Sequence, residues 1–148
     1  MKILLAIDGS KFSDAAAHSV ARQFRPQDTE VLVLSVVEPI SETVPPQMSP
    51  RYYPELNDQV AEAKQMIESV GRMLAEAGFK VSTSVATGDA KAVILDEATQ
   101  WGADLIVVGS HGRTGLERFL LGSVSEAIAR HTSCSVEIVR LHSDDVAA

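Results

Sequence analysis

Three segments of the chain, KILLAI at 2–7, VLVLSVV at 31–37 and ADLIVV at 103–108, are continuously apolar and rich in Val, Ile and Leu. A half-buried strand alternates apolar and polar residues, whereas a strand covered on both faces does not, so these segments predict the interior of a parallel sheet. Two weaker segments, KVSTSVA at 80–86 and SVEIVR at 135–140, do alternate and read as strands nearer an edge. Helical stripes lie between them: Ala16, Ala17, Val20, Ala21 and Phe24; then Leu56, Val60, Ala63, Ile67, Val70 and Leu74; then Ile94, Ala98 and Trp101; then Val124, Ala127, Ile128 and His131. Strand and helix thus alternate from end to end, which calls for right-handed crossovers and an open, doubly wound α/β domain of five parallel strands and four helices. Ligands in such sheets sit outside the carboxyl ends of the strands, where the strand order reverses.

At 148 residues and 45% hydrophobic content, the chain predicts one domain spanning 1–148 with a core that needs no disulfide or metal. The single cysteine, Cys134, has no partner for an internal disulfide, and no charged-then-apolar leader opens the chain, so a cytoplasmic setting is expected. No apolar run reaches the roughly 20 residues of a membrane-spanning helix, so no membrane partner is expected. A net charge of −7 without a basic stripe argues against nucleic acid, whose affinity for proteins comes mainly from Lys and Arg. It leaves room for a small phosphorylated ligand, because backbone amides and one or two local cations hold phosphate whatever the overall charge.

The stretch GSHGRTGLERFLLGSVS at 109–125 follows the run that ends at Val108. Gly109 falls where the chain leaves the sheet and reads as a turn at positive φ, and Gly112 as a place where backbone approaches a ligand closely. Ser123 and Glu126 form an S-x-x-E pattern, which predicts a capping box and a helix starting at Gly122 and Ser123, where free N–H groups favour an anion. The spacing is neither a Walker loop nor a dinucleotide fingerprint. From 38 to 54 the sequence EPISETVPPQMSPRYYP holds five of the six prolines and reads either as a lid over a ligand or as a solvated connector.

Gly109, Gly112, Gly122 and Ser123 match the pattern of Gly, two residues, Gly, nine residues, Gly, then Ser or Thr, and the chain resembles universal stress proteins of the nucleotide-binding subgroup. ILLAIDGS, VLSVVEP, TGDAKAVILDEA and SVSEAIARHTSCSV extend the resemblance over nearly the whole chain. It implies a Rossmann-like sheet of order 3-2-1-4-5, of the adenine nucleotide alpha hydrolase-like kind, binding ATP with Mg²⁺ at the carboxyl ends of strands one and four. By that resemblance Gly109, Gly112, Gly122 and Ser123 surround the phosphates, and Arg113, Val124 and Ser125 beside them are further nucleotide-binding candidates. Asp8 approaches the ribose or the metal-bound phosphate, and a backbone pair near Val36 reads the adenine edge. Gly88 lies further out. A homodimer through the strand at 135–140 is also implied, with Ser135 and Glu137 departing from the usual apolar strand.

Several of these residues have plainer readings. Asp8 is equally an Asx-turn residue that starts the first helix, and His111 and Arg113, placed to touch phosphate, more often are solvated or pair with a neighbour such as Glu117. Glu137 either pairs across a two-fold axis with Arg140 or blunts the edge. Leu116, Phe119, Leu120 and Leu121 read as pins to the core, Gly115 as a turn glycine, Cys134 as a small buried hydrophobe, and Met66, Met73 and Trp101 as core. Histidines 18, 111, 131 and 142 show no metal-ligand spacing, so no metal ligand is assigned. No residue stands out as a base for phosphoryl transfer, so no catalytic residue is assigned either. The sequence thus favours a nucleotide-dependent regulatory or stress-response module, against a slow ATPase or other nucleotide-dependent enzyme, and against a nucleotide-free scaffold.

Overall fold

A computed structural model of the chain describes residues 1–39, 54–112 and 121–141. Strands β1 (Lys2–Ala6), β2 (Glu30–Val37), β3 (Lys80–Thr87), β4 (Leu105–Gly109) and β5 (Ser135–Val139) form one parallel sheet in the order β3-β2-β1-β4-β5. Helices α1 (Lys11–Gln23), α2 (Pro54–Glu76), α3 (Ala90–Trp101) and α4 (Ser123–His131) lie between successive strands. The three continuously apolar segments take the interior positions and the two alternating ones take the edges, because only the interior strands lose water from both faces.

Two hydrophobic layers follow from the period-two geometry of β1. Ile3 and Leu5 face a layer with Val31, Val33, Ala16, Val20, Ile67 and Leu74, while Leu4 faces another with Leu32, Leu34, Ile106, Ile94, Ala98 and Ile128. Each fully buried Leu or Ile contributes about 1.5–3 kcal/mol. Helices α1 and α2 therefore cover one face, and α3 and α4 the other. His131, expected on the buried stripe of the last helix, is exposed in its final turn.

Helix starts differ in their chemistry. Ser10 caps α1, its Oγ accepting from Ser13 N at 3.1 Å, and Asp8 Oδ1 accepts from Ser10 N at 2.9 Å in an Asx-type turn. Asp89 caps α3 by accepting from Ala92 N at 3.2 Å, and Gly102, at φ 77°, closes that helix in the left-handed region. In α4 the expected capping box is absent. Gly122 is the N-cap, with no side-chain hydrogen bond, and Ser123 is already the first helical residue. Tertiary contact moves the start by one residue: Gly122 N donates to Ser110 O at 2.7 Å, which fixes where the chain enters the helix.

The amino end of the sheet is closed by the chain itself. The Met1 ammonium donates to Asp28 O at 2.8 Å and Lys2 N to Asp104 Oδ2 at 2.7 Å, while Lys2 Nζ donates to Trp101 O at 3.2 Å and lies 5.2 Å from the Trp101 ring centroid. On the β5 edge, Glu137 turns toward α1: its Oε1 accepts from Gln23 Nε2 at 2.6 Å and from Ser19 Oγ at 3.4 Å. Within the chain it is the neutral donors of α1 that hold the Glu137 carboxylate.

Candidate functional site

β1 ends at Ala6, whose partner is Leu34, and β2 continues through Ser35, Val36 and Val37. On the other side, Gly109 stands two residues past Val107, the last residue of β4 to pair with β1. The shortness of β1 leaves a gap between β2 and β4, at the place where the strand order reverses. Ile7 N donates to Leu34 O at 2.9 Å toward β1, and Gly88 N donates to Val37 O at 3.0 Å toward β3. Successive residues of a strand direct their amide groups to opposite sides, so the N–H and C=O of Val36 point toward the gap above the end of β1. A crevice of about 890 Å³ occupies this region, bordered among others by Asp8, Val36, Gly109, Gly112, Gly122, Ser123, Val124 and Ser125. Its size falls within the roughly 300–1,000 Å³ of small-ligand sites.

The motif glycines are explained by crowding. Gly109 is not at positive φ, contrary to the turn expected there; it remains in the ladder opposite Val139. A Cβ at this position would stand 2.7 Å from the carbonyl carbon and Cβ of Phe12 and 2.8 Å from its oxygen, so α1 packs onto β4 only if residue 109 has no side chain. At Gly112 a Cβ would meet Asp8 Oδ2 at 3.1 Å, and at Gly122 it would meet His111 Cα at 3.2 Å and Ser110 O at 3.3 Å. The strand exit and the start of α4 are thereby pressed together. Ser125 adds a tie, its buried Oγ lying 3.0 Å from both Ser110 O and Gly122 O, to which it donates.

Three described helix starts border the crevice, and their hydrogen bonding separates them. The start of α1 holds Asp8 and Ser10; the start of α3 holds Asp89 and also Glu38, whose Oε1 accepts from Ala90 N at 2.9 Å. The start of α4 has no side-chain acceptor. The first-turn N–H groups of Ser123, Val124 and Ser125 are therefore directed to an acceptor from outside the helix, with the positive end of the helix dipole behind them. Ser123 is exposed, Val124 half-buried and Ser125 buried.

His111 is 9% exposed, which contradicts a solvated side chain. Its Nδ1 lies 3.0 Å from Ser110 Oγ, and its ring packs on Phe12 at 5.1 Å between centroids. The apolar ring of Phe12 shelters it as the strand exit bends over α1. Arg113, Gly115, Leu116, Glu117, Phe119, Leu120, His142 and most of the proline-rich segment lie outside the described residues. Leu121 borders the crevice. Among the described residues no group of three or more His, Cys, Asp or Glu is arranged to hold a metal ion, and no helix is long and apolar enough to cross a membrane.

Sequence reasoning missed the two side walls. Gln59, Glu62, Ala63 and Met66 of α2 border the crevice from one side, and Glu38, Asp89, Ala90, Lys91 and Ile94 from the other. The α2 residues share one face at intervals of three and four, and this signal was present in the sequence. Ala63, on the stripe that reads as core, is buried and also borders the crevice.

Residues 1–140 match the universal stress protein family. The chain belongs to this family. It is similar to the universal stress protein YxiE of Bacillus subtilis, 34% identical over 145 residues that cover 94% of this chain and 98% of the relative. It is also similar to the universal stress protein MJ0531 of Methanocaldococcus jannaschii, 37% identical with 94% and 81% covered. Among solved structures, the MJ0577 protein superposes with a TM-score of 0.83 at 30% identity over 95% of this chain and 96% of that one. Two more distant structures share the universal stress protein fold. One, from Arabidopsis thaliana with AMP bound, has a TM-score of 0.74 at 22% identity and covers 98% of this chain and 94% of that one. The other, a universal stress protein in complex with cAMP, has a TM-score of 0.69 at 20% identity and covers 94% and 96%.

Proposed function

We propose that the crevice binds an adenine nucleotide, ATP with Mg²⁺ foremost, and that the protein is a nucleotide-dependent regulatory module rather than a fast enzyme. The observation that carries this reading is the uncapped start of α4, pressed by Gly112 and Gly122 against the exit of β4 and facing the backbone pair of Val36 across the end of β1. Phosphates accept from the first-turn amides of α4 and from the Ser123 hydroxyl, Arg113 lends charge, and the base meets Val36. Charge-assisted hydrogen bonds contribute about 1.5–3 kcal/mol each, so three or four of them support roughly micromolar binding after the cost of association. The AMP and cAMP carried by two proteins of this fold favour adenine as the base.

Asp8 and Ser123 border the same crevice, and a carboxylate with a hydroxyl suits Mg²⁺ held mainly by phosphate oxygens and water. When bound, the ion would neutralise part of the phosphate charge. The carboxylates Asp8, Glu38 and Asp89 each accept a backbone amide, an arrangement that suits holding a structure more than abstracting a proton. Two copies of the chain are proposed to pair along β5, the strand at 135–139 on one edge of the sheet, in a cytoplasmic setting.

Thermal unfolding with and without ATP and Mg²⁺ tests this reading. Ligand at about 100 times its Kd should stabilise the fold by about 2.7 kcal/mol, and no shift at millimolar ATP would sink the nucleotide reading. Phosphate release faster than about 1 per second would replace the regulatory reading with an enzymatic one. A light-scattering mass of one chain at tens of micromolar protein would remove the dimer.

A further inference from the structure

The α2 wall contains the one half-buried side-chain amide bordering the crevice among the described residues. Gln59 lies on the same face as Ala63 and Met66, and a Cβ at Gly9, just past the end of β1, would meet Met66 Sδ at 3.1 Å. Seven residues separate Gln59 from Met66, about two helical turns or roughly 10 Å, so α2 carries Gln59 beyond the end of the sheet and over the gap that Val36 faces. Among the described residues the Gln59 side chain has no hydrogen-bond partner, whereas Asp8, Glu38 and Asp89 in the same lining each hold a backbone amide.

We propose that Gln59 reads the base and widens the preference for adenine over guanine beyond what the Val36 backbone gives. This inference rests on the nucleotide reading above. Adenine carries two N–H bonds on its 6-amino group, with a ring acceptor beside each: N1 on one side and N7 on the other. Val36 offers one carbonyl and one N–H, which satisfy one side. The second N–H and N7 then need another acceptor and donor, and a glutamine amide supplies both on one side chain. Guanine brings two acceptors, O6 and N7, to the same edge, so the fixed Val36 carbonyl opposes O6 and the glutamine loses the paired acceptor-and-donor match that adenine offers. Glu62, one turn along α2, offers acceptors alone, and Lys91 across the crevice offers donors alone, so neither matches N6 and N7 together.

The test is calorimetric titration of the full chain with ATP, GTP, 7-deaza-ATP and tripolyphosphate, for the native protein and for Gln59→Leu. The native protein should prefer ATP over GTP by at least about tenfold and lose several-fold in affinity when N7 is replaced by carbon. Gln59→Leu should lose several-fold of the preference for ATP over GTP, the remainder being held by the Val36 carbonyl, become indifferent to the 7-deaza change and bind tripolyphosphate as before. If the native protein prefers ATP and Gln59→Leu keeps that preference undiminished, the assignment of Gln59 is overturned while the nucleotide site stands. If the native protein binds ATP and GTP equally, the base-reading role is overturned on any residue. If it binds neither nucleotide nor tripolyphosphate, the nucleotide reading falls as well. An unchanged melting temperature without ligand would separate a recognition effect from damage to α2.

Discussion

At the amino ends of the strands the chain's own groups satisfy one another: the Met1 ammonium holds Asp28 O, Lys2 N holds Asp104 Oδ2, and the Lys2 side chain lies across Trp101. At the carboxyl ends β1 stops short, Val36 directs its amide groups over the gap, and α4 begins without a side-chain cap. Both ends have strand termini and helix termini, so the difference lies in what fills them. Among the described residues no buried side-chain nitrogen or oxygen lacks a partner, at either end. The carboxyl end therefore differs in the backbone groups of Val36 and the first turn of α4, and the proposed nucleotide site rests mainly on them.

That contrast can be broken most severely at Gly109. Gly109→Val places atoms inside contact distance of the Phe12 backbone and should destabilise the fold by about 3 kcal/mol, the upper end for overpacking, as measured by chemical denaturation. Gly112→Val should act on binding more than on folding. Its new side chain displaces the Asp8 carboxylate and fills the space proposed for phosphate, and ATP affinity should fall at least about tenfold by titration, equivalent to ~1.4 kcal/mol. Unchanged affinity would sink the phosphate loop.

A change at the closed end should do the reverse. Asp104→Ala removes the acceptor of Lys2 N and should cost about 1 kcal/mol of stability while leaving ATP affinity unchanged, because the two ends share no groups. A matched pair on α4 sharpens the point further. Ser125→Ala should lower stability by about 1 kcal/mol through loss of the tie to Ser110 O. Ser123→Ala, an exposed residue, should leave unliganded stability within about 0.5 kcal/mol and weaken ATP only a few-fold. If Ser123→Ala unfolds the protein and Ser125→Ala does not, the division between binding backbone and shaping side chain is wrong.

Much of the fold was legible because burial leaves a direct mark on composition. VLVLSVV carries no polar alternation, and in the structure its strand is covered on both sides; KVSTSVA alternates and lies at an edge. The motif glycines border the crevice proposed as the site, yet the structure gives other reasons for them. Positive φ at Gly109 and a capping hydroxyl on Ser123 are local explanations, and both gave way to contacts with residues distant in sequence, Phe12 and Ser110. His111 shows the same limit, since nothing adjacent to it in the chain announces the shelter that Phe12 provides. The α2 wall was visible as a stripe, but periodicity does not tell which part of a stripe faces core and which part faces a ligand.

The sequence by itself determined the order of elements, the interior and edge strands, and the place where glycines gather, because each depends on local composition or on spacing along the chain. Tertiary structure alone decided how far β1 falls short of β2 and β4, which helix starts hold their own acceptors, and why residue 109 carries no side chain. Those properties depend on distances between segments up to about a hundred residues apart, such as Phe12 and Gly109, and packing of α1 onto β4 fixes them only once the sheet is assembled.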